Sequence, residues 1–146
     1  MKQIADLIEG QTLTVIESGW TVRHAAERMT ERNIGAVAVV DAGTLAGIFS
    51  ERDIMSRVVA KGLAPEETTV ASVMTKHLVV AHPHEKVDAA IQKMQAIGSR
   101  HLPIVDEGKL VGMISIRDLL EVDDAQQRAR ANFLGDLVTY SADYES

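Results

Sequence analysis

Two segments of the chain carry a hydroxyl, a guanidinium and a carboxylate at the same spacing. They read Ser50-Glu51-Arg52-Asp53 and Ser115-Ile116-Arg117-Asp118, and each follows an apolar stretch that predicts a β-strand. A helix beginning there would attract anions, its Arg would bind phosphate, and its carboxylate would accept two hydrogen bonds from a ribose diol. Ser-x-x-Asp is also the pattern of a helix capping box, so a purely structural role fits as well.

Two more basic residues, Arg100 and His101, precede a second apolar stretch. We predict that they point into a cleft and donate hydrogen bonds to a phosphate. The alternative is an exposed Arg and a His that is hydrogen-bonded within the fold.

The chain repeats itself at an offset of 65 residues without a gap. Self-similarity over this length indicates two copies of one structural unit. The matching residues include Met29 with Met94, Gly47 with Gly112, and Arg52-Asp53 with Arg117-Asp118.

Each copy predicts the element order β-α-β-β-α. Apolar residues at helical spacing mark one face of a helix in each copy, and an Asp-x-Gly turn joins the last two strands. The predicted strands are Leu13–Ile16, Ala36–Val40, Leu45–Phe49, Leu78–Val80, Leu102–Val105 and Leu110–Ile114. The predicted helix faces carry Val22, Ala25, Ala26 and Met29 in the first copy, and Val87, Ala90, Ile91, Met94 and Ile97 in the second.

We therefore predict an α+β fold in which two tandem repeats pack as a pseudo-twofold pair, because one copy alone has too small a core. Residues 1–65 form the first repeat with an N-terminal segment, and residues 66–122 form the second. Residues 61–74 connect them, with a short helix over Glu66–Met74. Residues 123–146 form a C-terminal tail, predicted helical, which packs on its own domain or docks onto a second subunit.

Composition excludes several classes of protein. The 146 residues contain no Cys, and no apolar run is long enough to span a membrane, so we expect a cytoplasmic location. The net charge is −6, and aromatic residues are scarce, with one Trp, two Tyr and two Phe. We therefore expect neither a nucleic acid nor a membrane as partner, although a small phosphorylated ligand needs only local positive charge.

The stretch Arg100–Asp106, followed by Gly108–Leu119, closely resembles the most recognisable part of the CBS-domain family. The segments Ile34–Asp41 and Leu45–Asp53 resemble the same part, and the likeness extends over about residues 10–121. A tandem pair of such domains is called a Bateman module. The resemblance implies two facing sheets with two clefts that bind adenosine-containing ligands.

The resemblance also implies roles for single residues. Asp53 and Asp118 would hold ribose hydroxyls, and Ser50 and Ser115 would support the ribose or phosphate. The expected phosphate-facing residues are Arg52, Arg117, Arg100 and His101. The expected adenine-pocket residues are Thr14, Val15, Gly35, Ala36, Val79 and Val80, with Pro103 also counted among the nucleotide-binding residues. Gly35-Ala36 stands where Arg100-His101 stands in the second copy, so the two clefts should differ in phosphate affinity.

We predict a regulatory module that senses AMP, ADP, ATP or NAD, forms a homodimer and passes a conformational change to an unknown effector. A structural or protein-interaction dimer with vestigial clefts is the alternative. An enzyme is not expected, because the sequence has no P-loop, GxSxG, HExxH or GxGxxG pattern. His77, His82 and His84 lie close together, but without a further evident ligand we predict no metal site and no catalytic cofactor.

Overall fold

The computed structural model describes residues 3–121, in which two similar units follow one another along the chain. In the first, helix α1 (Ile4–Ile8) precedes strand β1 (Val15–Glu17), helix α2 (Val22–Arg32), and strands β2 (Ala36–Asp41) and β3 (Thr44–Ser50). Helix α3 (Glu51–Asp53) continues directly as a π-helix over Ile54–Val59, and the short helix α4 (Val70–Val73) leads into the second unit. That unit contains helix α5 (Val87–Ile97), strands β4 (His101–Asp106) and β5 (Lys109–Ser115), and a final helical segment, α6, over residues 116–121.

The first unit forms a three-stranded sheet in the order β1-β2-β3. Strand β1 runs parallel to β2, and β2 pairs antiparallel with β3 so that Ala36 lies opposite Ser50. The hairpin turn has positive φ at both central residues, Ala42 and Gly43, as a type I′ turn requires. The second unit repeats this hairpin, with His101 opposite Ser115 and positive φ at Glu107 and Gly108.

The second sheet differs from the prediction. The predicted strand Leu78–Val80 is replaced by a single parallel bridge between Ala81 and Ile104, which leaves a two-stranded sheet. Ala81 donates to the carbonyl of Pro103 and accepts from Val105. The next bonds on either side would need the N–H groups of Pro103 and Pro83, which proline lacks, so the ladder cannot extend.

The two long helices begin and end where the sequence supplies caps. The Thr21 side chain accepts from the His24 N–H at the start of α2, and Asn33 and Gly98 adopt left-handed conformations at the ends of α2 and α5. The predicted apolar faces are buried through Val22, Ala25, Met29, Val87, Ala90 and Met94. Ala26 and Ile91 are half-buried, and Ile97, on the last turn of α5, is 49% exposed.

The two cores exchange segments. Ile4 of α1 is fully buried in the core of the second unit, with Val87 and Leu102, although it precedes the first unit in the chain. Conversely, Val70, Val73 and Met74 of the connection are buried in the core of the first unit. The predicted helix over Glu66–Met74 is thus shortened to Val70–Val73. The domain boundaries predicted from chain order separate the repeats, while the packing crosses them.

The exchanged segments pass directly over a glycine in each unit. A Cβ on Gly47 would lie 2.8 Å from the carbonyl oxygen of Thr75, and one on Gly112 would lie 2.8 Å from the Ile8 side chain. These close approaches explain why β3 and β5 each have Gly at this position. The units themselves meet through β3 and β5.

Within residues 3–121, no helix has the length and apolar character needed to cross a membrane. The predicted tail, residues 123–146, lies outside the described residues, so its helicity and its docking site stay predictions.

Candidate functional site

An open cleft of about 1270 Å³ runs between the two repeats. Its walls come from the ends of β3 and β5, the first turns of α3 and α6, and the segments before β1, β2 and β4. Ligand pockets for small molecules usually measure roughly 300–1,000 Å³, so the cleft has room for a nucleotide-sized ligand. Both Ser-x-x-Asp segments lie on its walls.

Asp53 is buried in the wall of the first repeat, where its carboxylate is held by four groups. One oxygen accepts from the Ser50 N–H (3.0 Å) and from the Ser50 hydroxyl (3.2 Å). The other accepts from the Thr75 hydroxyl (3.2 Å) and lies 3.7 Å from the Arg57 guanidinium. The capping box predicted at this helix is therefore present, and two further residues complete the coordination of the carboxylate.

Asp118 occupies the equivalent place in the second repeat, but its surroundings differ. It is exposed, and one of its oxygens accepts from the Ser115 N–H (3.1 Å) while its own N–H donates to the Ser115 hydroxyl (3.1 Å). Among the described residues, its second oxygen has no hydrogen-bond or ion-pair partner. This oxygen is open to a ligand in the cleft.

Besides Arg57, three arginines line the same cleft: Arg52, Arg100 and Arg117. None of them forms an ion pair with another side chain among residues 3–121. Arg57 is different, because its guanidinium donates to the carbonyls of Val73 and Met74 besides facing Asp53. The cleft thus offers three guanidinium groups that are not committed to the fold.

His101 lies half-buried between charged groups of both repeats. Burial lowers its pKa below the ordinary value of 6.5, and the positive charge of Arg100 lowers it further. The carboxylates of Asp118 and of Glu51, which comes from the first repeat, oppose this shift without reversing it. His101 is therefore mainly neutral at pH 7, and an added anion would favour its protonation.

Most of the residues predicted for the site meet at this cleft. The predicted residues that lie on its walls are Thr14, Gly35, Ala36, Ser50, Arg52, Asp53, Arg100, His101, Ser115, Arg117 and Asp118. Val79, counted with the adenine-pocket segments, is also there.

Three predicted residues lie off the cleft. Val15 pairs with Ala38 inside the first sheet, and Pro103 is buried in β4. Val80 is half-buried, and its carbonyl accepts from the Lys93 ammonium (3.1 Å). Thr14 and Val79 occupy the wall instead of Val15 and Val80, since successive side chains of an extended segment point in opposite directions. The neighbours of Pro103, Leu102 and Ile104, are buried in the core of the second unit, so β4 contributes only His101 to the wall.

Sequence reasoning missed Arg57 and Thr75. Arg57 follows Asp53 by four residues on one helix, a spacing that predicts an ion pair. Thr75 gave no signal, because it is 22 residues from Asp53 and belongs to the connection. The cleft wall also includes Glu51, whose segment predicted no separate role for it, and His77.

The histidines considered for a metal site do not form one within residues 3–121. No group of three or more His, Asp or Glu side chains in this range is arranged to hold a metal ion. His77 lies on the cleft wall, whereas His82 and His84 are exposed before α5.

The sequence model of the CBS domain matches this chain twice, over residues 6–60 and 70–124. The CBS domain-containing protein YhcV of Bacillus subtilis is 37% identical over 119 residues, which cover 82% of this chain and 84% of YhcV. Other curated relatives are much longer, and the chain spans 20% of one and 51% of another.

Solved structures share the arrangement of the two repeats. A putative signal-transduction protein with CBS domains from Burkholderia ambifaria is 34% identical, with a TM-score of 0.80 over 86% of this chain and 96% of that one. The CBS domain pair of protein MJ0100, in complex with 5′-methylthioadenosine and S-adenosyl-L-methionine, is 26% identical. It has a TM-score of 0.74 over 83% of this chain and 98% of that one.

Proposed function

Because this chain belongs to the CBS-domain family and contains a tandem pair of CBS domains, we propose that it is a regulatory module. It binds an adenine nucleotide or a related adenosine-containing ligand in the cleft between its two repeats. We propose residues 1–65 and 66–122 as the bounds of the two repeats. It assigns the chain no catalytic step of its own.

The observation that carries this proposal is the exposed carboxylate of Asp118 at the start of α6. A carboxylate oxygen without a partner in a cleft is an acceptor for hydroxyl donors, and a ribose diol supplies two. The adenosine compounds bound to the MJ0100 pair support the same ligand class.

The uncommitted guanidinium groups of Arg52, Arg100 and Arg117 favour a ligand with phosphates. The planar guanidinium binds phosphate through two parallel hydrogen bonds, which add geometric specificity to the attraction between opposite charges. AMP, ADP, ATP and NAD therefore rank above S-adenosylmethionine as candidates.

The regulatory step follows from the position of the cleft. A ligand that contacts Gly35 in the first repeat and Asp118 in the second connects the two repeats. If it binds one relative arrangement of the repeats more tightly, it shifts the population toward that arrangement, and an effector protein can respond.

We also propose that the chain forms a homodimer. Met55 and Leu120 are equivalent in the two repeats, and both are apolar and exposed, at 62% and 47%. Val59, on the same helix as Met55, is exposed as well. Apolar side chains at equivalent places of both repeats favour a symmetric contact with a second copy of the chain.

The test is thermal unfolding of the full, nucleotide-stripped chain with AMP, ADP, ATP, NAD or S-adenosylmethionine. A ligand at 100 times its Kd adds about 2.7 kcal/mol, which at this size is a rise in Tm of roughly 5–10 °C. We expect a rise with at least one phosphorylated ligand.

Two variants make the result specific. Asp118→Ala should lose the ligand-dependent rise, whereas Asp106→Ala, an exposed aspartate at the β4–β5 turn, should keep it. If none of the five compounds raises the Tm of the natural chain, the binding function is wrong, and the structural or protein-interaction dimer with vestigial clefts takes its place.

A further inference from the structure

We infer that the cleft binds one nucleotide per chain, at Asp118, because side chains of the protein itself already occupy the equivalent carboxylate, Asp53. The inference rests on the proposed function and adds its stoichiometry and position. The half of the cleft that contains Asp53 is called the first half, and the half that contains Asp118 the second. Arg57 and Thr75 contact the Asp53 carboxylate and so prevent a ligand from binding in the first half.

The two carboxylates differ in the acceptor positions that they leave open. Asp53 is 6% exposed, and both of its oxygens accept hydrogen bonds from Ser50 or Thr75. Asp118 is exposed and accepts only from the Ser115 N–H among the described residues. A ribose diol needs two open acceptor positions, so it can bind at Asp118 without displacing any group of the protein.

The groups that hold Asp53 are themselves fixed. Arg57 donates at 3.2 and 3.0 Å to the carbonyls of Val73 and Met74, two buried residues of the exchanged connection. Thr75 follows directly and forms a backbone bridge to Ile48. A ligand hydroxyl at Asp53 would therefore have to displace the Thr75 hydroxyl, whose bond joins the connection to the first unit.

The second repeat lacks both groups. At the repeat offset, Gly10 stands in the place of Thr75, and Val122 stands in the place of Arg57. Gly has no hydroxyl to donate and Val no guanidinium. The difference between the two halves is thus encoded at two positions outside the Ser-x-x-Asp segments.

The basic side chains differ between the two halves of the cleft in the same direction, because the half with Asp118 has a basic pair, Arg100 and His101, that the other half lacks. The backbone register places His101 opposite Ser115, so Arg100 and His101 adjoin the half that contains Asp118. In the other half, Ala36 lies opposite Ser50 and is preceded by Gly35, so this position carries no charge. A diol at Asp118 and a phosphate near Arg100 and His101 would belong to one bound molecule.

Isothermal titration of the full chain with AMP, ADP, ATP and NAD tests the inference. We expect one mole of nucleotide per mole of chain for each nucleotide that binds. Asp118→Ala should weaken this binding at least tenfold, and Asp106→Ala should leave both stoichiometry and affinity unchanged. Circular dichroism checks that Asp118→Ala is folded, which we expect because Asp118 is exposed and contributes only a helix cap.

Two kinds of result would contradict the inference. Two moles per chain, or one mole still bound with unchanged affinity in Asp118→Ala, would show that the Asp53 half takes a ligand and would overturn the inference. The proposed function would survive that outcome. If AMP, ADP, ATP and NAD all fail to bind the natural chain, the one-site inference is wrong together with nucleotide binding.

Discussion

The side-chain amide of Gln11 forms two hydrogen bonds with the backbone of Met113. Its Nε2 donates to the Met113 carbonyl (2.9 Å), and its Oε1 accepts from the Met113 N–H (3.1 Å). In the first repeat, the backbone of Thr75 makes the same two bonds with Ile48, at 2.8 and 3.0 Å. A side chain thus takes the place of a backbone bridge and holds the N-terminal segment on the second repeat.

Gln11→Ala should detach this segment locally, because it removes both bonds to Met113. We expect a loss of about 1–2 kcal/mol in the free energy of unfolding, which urea titration measures. Gln92→Ala, an exposed glutamine on α5, is the matched control and should change stability by less than about 0.5 kcal/mol. Equal effects of the two substitutions would contradict this role for Gln11.

Ile4→Ala should destabilise the second repeat. Ile4 is fully buried in that core, so its truncation leaves a cavity and costs about 2–5 kcal/mol in urea unfolding. Ile97→Ala removes the same atoms from a half-exposed position and should cost less than about 1 kcal/mol. A small effect of Ile4→Ala would mean that α1 is not part of this core.

Gly47→Ala should disturb the contact between β3 and the exchanged connection. The new Cβ would lie 2.8 Å from the Thr75 carbonyl, and relieving such overpacking typically costs about 1–3 kcal/mol. Gly19→Ala is the control, since a Cβ on Gly19 would have no atom within 4 Å and the φ of Gly19 is not positive. Thermal unfolding should separate the two variants, and an unchanged Tm for Gly47→Ala would show that the contact yields easily.

The buried environment of His101 should make the protein less stable in acid. Burial, the largest cause, and Arg100 lower its pKa in the folded state below 6.5, so the unfolded chain binds this proton more tightly. Its contribution to stability is therefore complete above pH 6.5 and decreases as the pH falls toward the folded-state pKa.

Urea unfolding of the natural chain and of His101→Gln at pH 7.5 and 5.5 measures this effect. The stability of the natural chain relative to His101→Gln should fall between the two pH values. A constant or rising difference would mean that Asp118 and Glu51 outweigh burial.

The proposed homodimer should dissociate when its apolar contact becomes charged. We expect the natural chain to sediment as a dimer at micromolar concentration, and Met55→Glu combined with Leu120→Glu to sediment as a monomer. Val111→Glu places the same charge on an exposed apolar site of strand β5 and should remain dimeric. A monomeric natural chain would refute the dimer itself.

The amino-acid sequence alone determined the repeat, the α+β element order and the two Ser-x-x-Asp helix starts. These features depend on residues close together in the chain, where apolar spacing, turn glycines and capping side chains have the same meaning in any fold. The same local information predicted that Arg100-His101 and Gly35-Ala36 make the two halves of the cleft unequal.

Tertiary structure alone decided which carboxylate stays open. The Thr75 hydroxyl reaches Asp53 only because the connection packs on the first core, and Gln11 reaches Met113 only because α1 packs on the second. The absence of a strand before α5 likewise depends on how two segments pair. Their pairing places Pro83 and Pro103 at the positions where the next N–H donors would be needed. Such contacts join residues 22 to 102 positions apart, and no local pattern specifies them because their energy exists only once both repeats are packed.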